Sequence, residues 1–203
     1  NNTVLQCYAD YYVYNIDNGT GYRYNPTGTN GPVVPSWGTI APQTGVHSGA
    51  TIHIVYSNKN RTNTLRNPLI VVENMDAYNL APQVQIRPYS IADFIEAINN
   101  GPGVGYDFNG QLDDIAGYDL VFIDFADGMD GIVRNAAVVQ EAINRVNANK
   151  VFDNRSGQLE QNVVLGLGTG GLNARYALAN MAKNFAGSNT RLLLTHDAPH
   201  RGN

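Results

Sequence analysis

A chain of 203 residues that is 43% hydrophobic can bury one sizeable core, or a core with a small appended module. Its net charge of −4 and pI of about 5.4, without any basic run, argue against a nucleic-acid partner. No stretch approaches the roughly 18 consecutive apolar residues of a membrane-spanning helix.

Charged residues make up only 15% of the chain, whereas Asn, Gly and Tyr are abundant, a bias expected of a secreted or surface-exposed protein. The sequence opens at Asn1 rather than at a methionine, so a mature, processed or incompletely recorded product is expected. Cys7 stands alone, which leaves no disulfide framework and no thiolate metal site, and is expected as a half-buried strand cysteine. The triplets beginning at Asn1, Asn18, Asn60 and Asn154 fit the glycosylation pattern, as chance provides in so Asn-rich a chain.

In chain order, residues 1–57 form a β-rich N-terminal segment. Strand-like pieces lie at "TVLQCYADYYVYNI" and "ATIHIVYS", separated by a long run of turn chemistry. Trp37 and the tyrosines are expected to pack this segment. Residues 58–203 then alternate strands and helices. "NPLIVVE" is a β-branched run without polar alternation, as expected of a strand buried on both faces of a parallel sheet. "SIADFIEAINN" is a short helix with Ser90 as its cap and Gly101-Pro102-Gly103 as its stop. "YDLVFIDF" is a second buried strand. The next helix places Ile132, Ala136, Val139, Ile143 and Val146 on one face. "QNVVLGL" is a third strand, Leu172 to Lys183 a helix and "TRLLLTH" a fourth strand. Such alternation predicts an α/β fold with a parallel sheet and flanking helices.

"NVVLGLGTGGLNARYALANM" concentrates the chemistry. Gly166, Gly168 and Gly171 match the spacing of a dinucleotide-binding fingerprint. That motif normally opens its βαβαβ unit, yet here several strands precede it and little follows. The alternative is a nucleophile elbow, a sharp strand-to-helix turn whose central residue has positive φ and whose neighbours two positions away are small. Gly166 and Gly170 supply those small residues.

"GLGTGGLNARYAL" resembles the G-x-S-x-G-G segment of lipases and esterases of the α/β-hydrolase superfamily. "YDLVFIDFADGMDGIVRNA" resembles the preceding strand and loop of such enzymes, and "THDAPHRGN" the turn after the following strand. The resemblance spans about residues 66–203 and implies an incomplete α/β-hydrolase-like domain acting on esters. The position of its serine is Gly168, which keeps the turn but removes the nucleophile. The resemblance implies an oxyanion hole from the backbone N–H of Thr169 together with that of Asn74 or Met75. Thr169 is expected to be a bystander by its hydroxyl. His196, Asp197 and His200 stand too close together for a dyad, and His200 is expected to be structural, so truncation of the fold is expected. His47 and His53 are assigned to the β-rich segment.

Asp124, Asp127 and Asp130 lie at the carboxyl end of a buried strand, without the alternate-residue spacing of a calcium loop; loop capping is expected of them. Asp113-Asp114 reads as a solvated turn, and Arg175 as an anchor on the elbow helix. No cofactor or metal is called for. The expected function is that of a secreted esterase or lipase relative made inactive by Gly168. The competing expectations are a non-catalytic hydrolase-like subunit binding protein partners in an extracellular assembly, and a dinucleotide-binding domain.

Overall fold

A computed structural model of the protein describes residues 36–57, 60, 64–76, 89–99, 108, 111–112, 117–150 and 157–201. The expectations for residues 1–35, Cys7 among them, lie outside these, as do those for the Trp37 side chain, Gly101-Pro102-Gly103, Asp113-Asp114 and the Asn154 triplet.

The strands are β1 (Ser36–Ile40), β2 (Ala50–Val55), β3 (Leu69–Val72), β4 (Leu120–Phe125), β5 (Asn162–Leu167) and β6 (Thr190–His196). The helices are α1 (Ile91–Asn99), α2 (Ile132–Ala148) and α3 (Thr169–Lys183). The strands form one sheet in the order β1-β2-β4-β3-β5-β6. β4, β3, β5 and β6 run parallel, and β1 and β2 are antiparallel additions that enter through the pairing of β2 with β4. The strand–helix alternation of the sequence is thus realised as a mixed, mostly parallel sheet with helices against it.

The unalternating apolar runs have the burial they imply. All four residues of β3 are buried, as are Leu120 to Ile123 of β4. Alternate side chains go to opposite faces. On one face lie Val121, Ile70, Val164 and Leu193 in register, with α2 and α3 packed against the sheet. On the other, Phe122 meets Phe94 of α1, their ring centroids 5.9 Å apart. Of the face read for α2, Ala136, Val139, Ile143 and Val146 are fully buried, while Ile132, in the first turn, is 44% exposed.

Two polar devices fix the amino ends of the strands. Asp119, buried just before β4, accepts hydrogen bonds from the backbone N–H groups of Ser57 and Arg66, both at 2.7 Å, and from Asn60 Nδ2 at 2.6 Å. The Lys150 ammonium donates to Glu160 O at 2.6 Å and to Asn162 Oδ1 at 2.9 Å, and burial pulls its pKa down to about 8. These ties lie at the amino ends of parallel strands, and the carboxyl ends of β3 and β4 lead into loops that can carry a site.

Candidate functional site

At the carboxyl end of β5 the chain turns directly into α3. Gly168 holds φ +50° and ψ −121°, a conformation that glycine adopts without steric cost. Its N–H donates to His196 O at 2.8 Å, tying the turn to the end of β6.

The neighbouring glycines have a steric reason. A Cβ on Gly166 would stand 2.4 Å from Gly171 Cα, and one on Gly170 would stand 2.1 Å from Glu73 O and 2.5 Å from Val72 O. These contacts are with backbone, which cannot swing aside. A Cβ on Gly171 would lie 2.6 Å from Ala198 Cβ. Helix α3 therefore folds back tightly over β5 and against the end of β3, the packing that a nucleophile elbow requires.

Gly168 differs. The three atoms nearest its missing Cβ all belong to the side chain of Asn74, Oδ1 at 2.2 Å, Cγ at 2.4 Å and Nδ2 at 2.7 Å. Asn74 follows β3, and its carboxamide lies over the turn. Asn74 Oδ1 accepts the backbone N–H of Thr169 at 2.9 Å and that of Met75 at 2.8 Å. The Thr169 hydroxyl donates to the same oxygen at 3.1 Å and accepts from Met75 N at 2.9 Å.

Thr169 and Met75 thus present two N–H donors to one acceptor, the arrangement that stabilises an oxyanion. Of the two residues considered for the second donor, Met75 supplies the backbone N–H and Asn74 the occupying side chain. Sequence reasoning did not foresee that role for Asn74, and nothing in its spacing signals it. The Thr169 hydroxyl also lines the site rather than standing apart from it.

Around this point the surroundings are partly apolar and partly acidic. Met75, Met129, Ile132 and Val133 are exposed hydrophobic side chains on the loops after β3 and β4 and on the first turn of α2. Gly128 brings these loops together, since a Cβ there would come within 2.8 Å of Asp76 N and 3.4 Å of Met75 Cα. Beneath them Glu73 is buried, with Oε1 accepting the N–H of Phe125 and Oε2 without a hydrogen-bond partner among the described residues. Burial first, then the charges of Asp124 and Asp76, raise its pKa well above the usual carboxylate range despite that hydrogen bond.

The remaining candidates lie elsewhere or act on loops. Asp124 comes within 3.6 Å of His53 Nε2 across the β2–β4 pairing, which places His53 on the main sheet. Asp127 accepts Met129 N, and Asp130 accepts Gly131 N and the Arg134 guanidinium. Partial burial opposes ionisation of Asp130, but Arg134 and the Gly131 N–H outweigh it and hold its pKa below the usual value. Both therefore serve the loop and the start of α2. Among the described residues, no group of three or more His, Cys, Asp or Glu is arranged to hold a metal. His200 sits 3.0 Å from Thr195 Oγ1 and 3.5 Å from an Arg175 nitrogen, joining α3 to the end of β6.

The fold is mixed α/β, a six-stranded and mostly parallel sheet with helices against it and a tight strand-to-helix turn at Gly168. No family model matches the chain, and no curated protein does. Among solved structures, it is similar to lipase BlEst2 of Bacillus licheniformis in mature form, at 15% identity and a TM-score of 0.45 over 74% of this chain and 48% of that one. The propeptide form of that lipase matches at 14% identity and a TM-score of 0.45, over 74% of this chain and 26% of that one. Brefeldin A esterase, a bacterial homologue of human hormone-sensitive lipase, matches at 13% identity and a TM-score of 0.44, over 94% of this chain and 46% of that one. The chain spans less than half the length of each of these proteins.

Proposed function

We propose that the chain carries the acyl-binding half of an esterase- or lipase-type site and does not cleave the ester. One observation carries this reading. Gly168 occupies the elbow position with positive φ, beside the paired N–H groups of Thr169 and Met75, and offers no atom to attack a carbonyl. An electrophile held by those donors meets a hydrogen atom where acyl transfer requires an oxygen. The Thr169 hydroxyl does not replace it, because it faces Asn74 and Met75 as part of the donor cluster. The site binds a carbonyl or carboxylate oxygen and leaves the acyl bond intact. An extracellular setting, suggested by the Asn-, Gly- and Tyr-rich composition, belongs to the same reading.

The test exposes the purified protein to a fluorophosphonate probe and to p-nitrophenyl butyrate, with mass spectrometry of the peptide spanning residues 162–183. The expected outcome is no adduct and no turnover above the buffer rate. A stoichiometric adduct on Thr169, or saturable hydrolysis that the probe abolishes, would overturn the proposal.

A further inference from the structure

The two donors of the site are already taken by the chain itself. Asn74 Oδ1 accepts both N–H groups that an oxyanion would use, and the rest of its carboxamide fills the volume a side chain at residue 168 would need. One fact is of hydrogen bonding and one of shape, and both fall on the Asn74 carboxamide.

We propose that Asn74 is an internal stand-in for the ligand, and that a short-chain carboxylate binds the Thr169–Met75 donor pair only when Asn74 swings away. This rests on the reading of the site as an acyl-binding half. A carboxamide oxygen is a carbonyl acceptor of the kind an ester or carboxylate presents, so the donor pair already holds an acceptor of that chemistry. A carboxylate competes well for it, since an ionised acceptor makes the stronger hydrogen bonds. The obstacle is mobile: Asn74 is exposed and its side chain turns about two bonds, so displacement needs no backbone movement. The exposed side chains of Met75 and Met129 on the adjoining loops favour a ligand with an apolar tail over inorganic anions.

Occupation by Asn74 reduces the apparent affinity for a ligand by the fraction of molecules that are open. Gly168 and Asn74 thus belong together. Loss of a side chain at residue 168 gives the carboxamide its place, and the carboxamide satisfies donors that would otherwise await a substrate.

The experiment is a titration with sodium butyrate followed by the backbone amide resonances of Thr169 and Met75 in the intact protein. Asn74→Ala is expected to bind at least about tenfold more tightly than wild type, with saturable shifts at both amides. Asn74→Asp keeps the acceptor and adds charge, so it is expected to bind more weakly than wild type. Sodium phosphate run in parallel is expected to shift neither amide. Equal butyrate affinity in wild type and Asn74→Ala overturns the proposal, as does absence of binding in Asn74→Ala, or tighter binding in Asn74→Asp than in wild type. Ester turnover by the wild-type protein would overturn the inactive-site reading while leaving this comparison of affinities standing, so the two failures are distinct.

Discussion

At the residue scale, three glycines of one motif serve three different purposes. Gly166 and Gly170 are required by backbone of neighbouring elements, whereas the atoms nearest a Cβ on Gly168 are the end of a flexible side chain. Substitutions should therefore separate them. Gly170→Ala must push apart α3 and the end of β3, and is expected to cost about 3 kcal/mol, as overpacking against unyielding neighbours does. Gly168→Ser can displace Asn74 and is left with the strain of a sparsely populated backbone conformation, about 1–3 kcal/mol. Urea midpoints at unchanged m-value check the order, which fails if Gly168→Ser is the more damaging of the two. The spacing Gly166-x-Gly168-x-Gly170 showed in advance that the turn is tight. It was silent about Asn74, because residues 94 or more positions apart meet only after β3 and β5 pair.

At the element scale, α1 illustrates how much local chemistry can specify. Ser90 and Asp93 form a reciprocal cap: Ser90 N and Oγ both reach Asp93 Oδ2, at 2.8 and 2.6 Å, and Asp93 N reaches Ser90 Oγ at 3.3 Å. The sequence showed Ser90 as the cap, and this helix is short enough to depend on it. Ser90→Ala is expected to destabilise the protein by about 1 kcal/mol, and Ser90→Thr by clearly less. Thermal unfolding of both variants is the check, and equal losses would deny the cap its role. The strand β6 shows the opposite case. Its three consecutive leucines are as apolar as the inner strands, yet Leu192 and Leu194 are each 45% exposed. They lie at the edge of the described sheet, on the face that also carries Phe122, and burial there depends on neighbours rather than on the strand's own residues.

At the scale of the whole molecule, Asp119 ties the segment entering β3 to β4 and to the end of β2. Burial raises its pKa to about 7, despite the donors Ser57, Arg66 and Asn60. Its folded pKa thus lies above the unfolded value of about 3.9, so between those pH values the folded state binds the extra proton. The stability this contributes is complete below about pH 4 and is lost as pH rises through about 7, at up to about 1.4 kcal/mol per pH unit. Urea unfolding across this range should therefore show a steeper decline for wild type than for Asp119→Asn, which has no proton to exchange. Parallel curves would show that Asp119 does not carry the linkage. At about pH 4, where that contribution is complete, the variant should be less stable than wild type by about 1–3 kcal/mol, because an amide N–H₂ then faces donors.

The sequence alone determined the inner strands and their helices, because strands buried on both faces carry unbroken apolar runs and helices carry their period and caps within a few residues. It also determined that the turn at Gly168 can form and that no nucleophile stands there, both being properties of single residues. The joining of β1 and β2 to the main sheet was decided by tertiary structure, through pairing of β2 with residues about 70 positions onward. The raised pKa of buried Glu73 was decided there too, since its shift comes from burial and from Asp124, a residue of β4. So was the occupied donor pair: Thr169 and Met75 acquire a common acceptor only when the ends of β5 and β3 lie side by side. Short-range periodicity and sterics are written along the chain, whereas proximity between distant segments, and the electrostatics that follow from it, exist only once the sheet has formed.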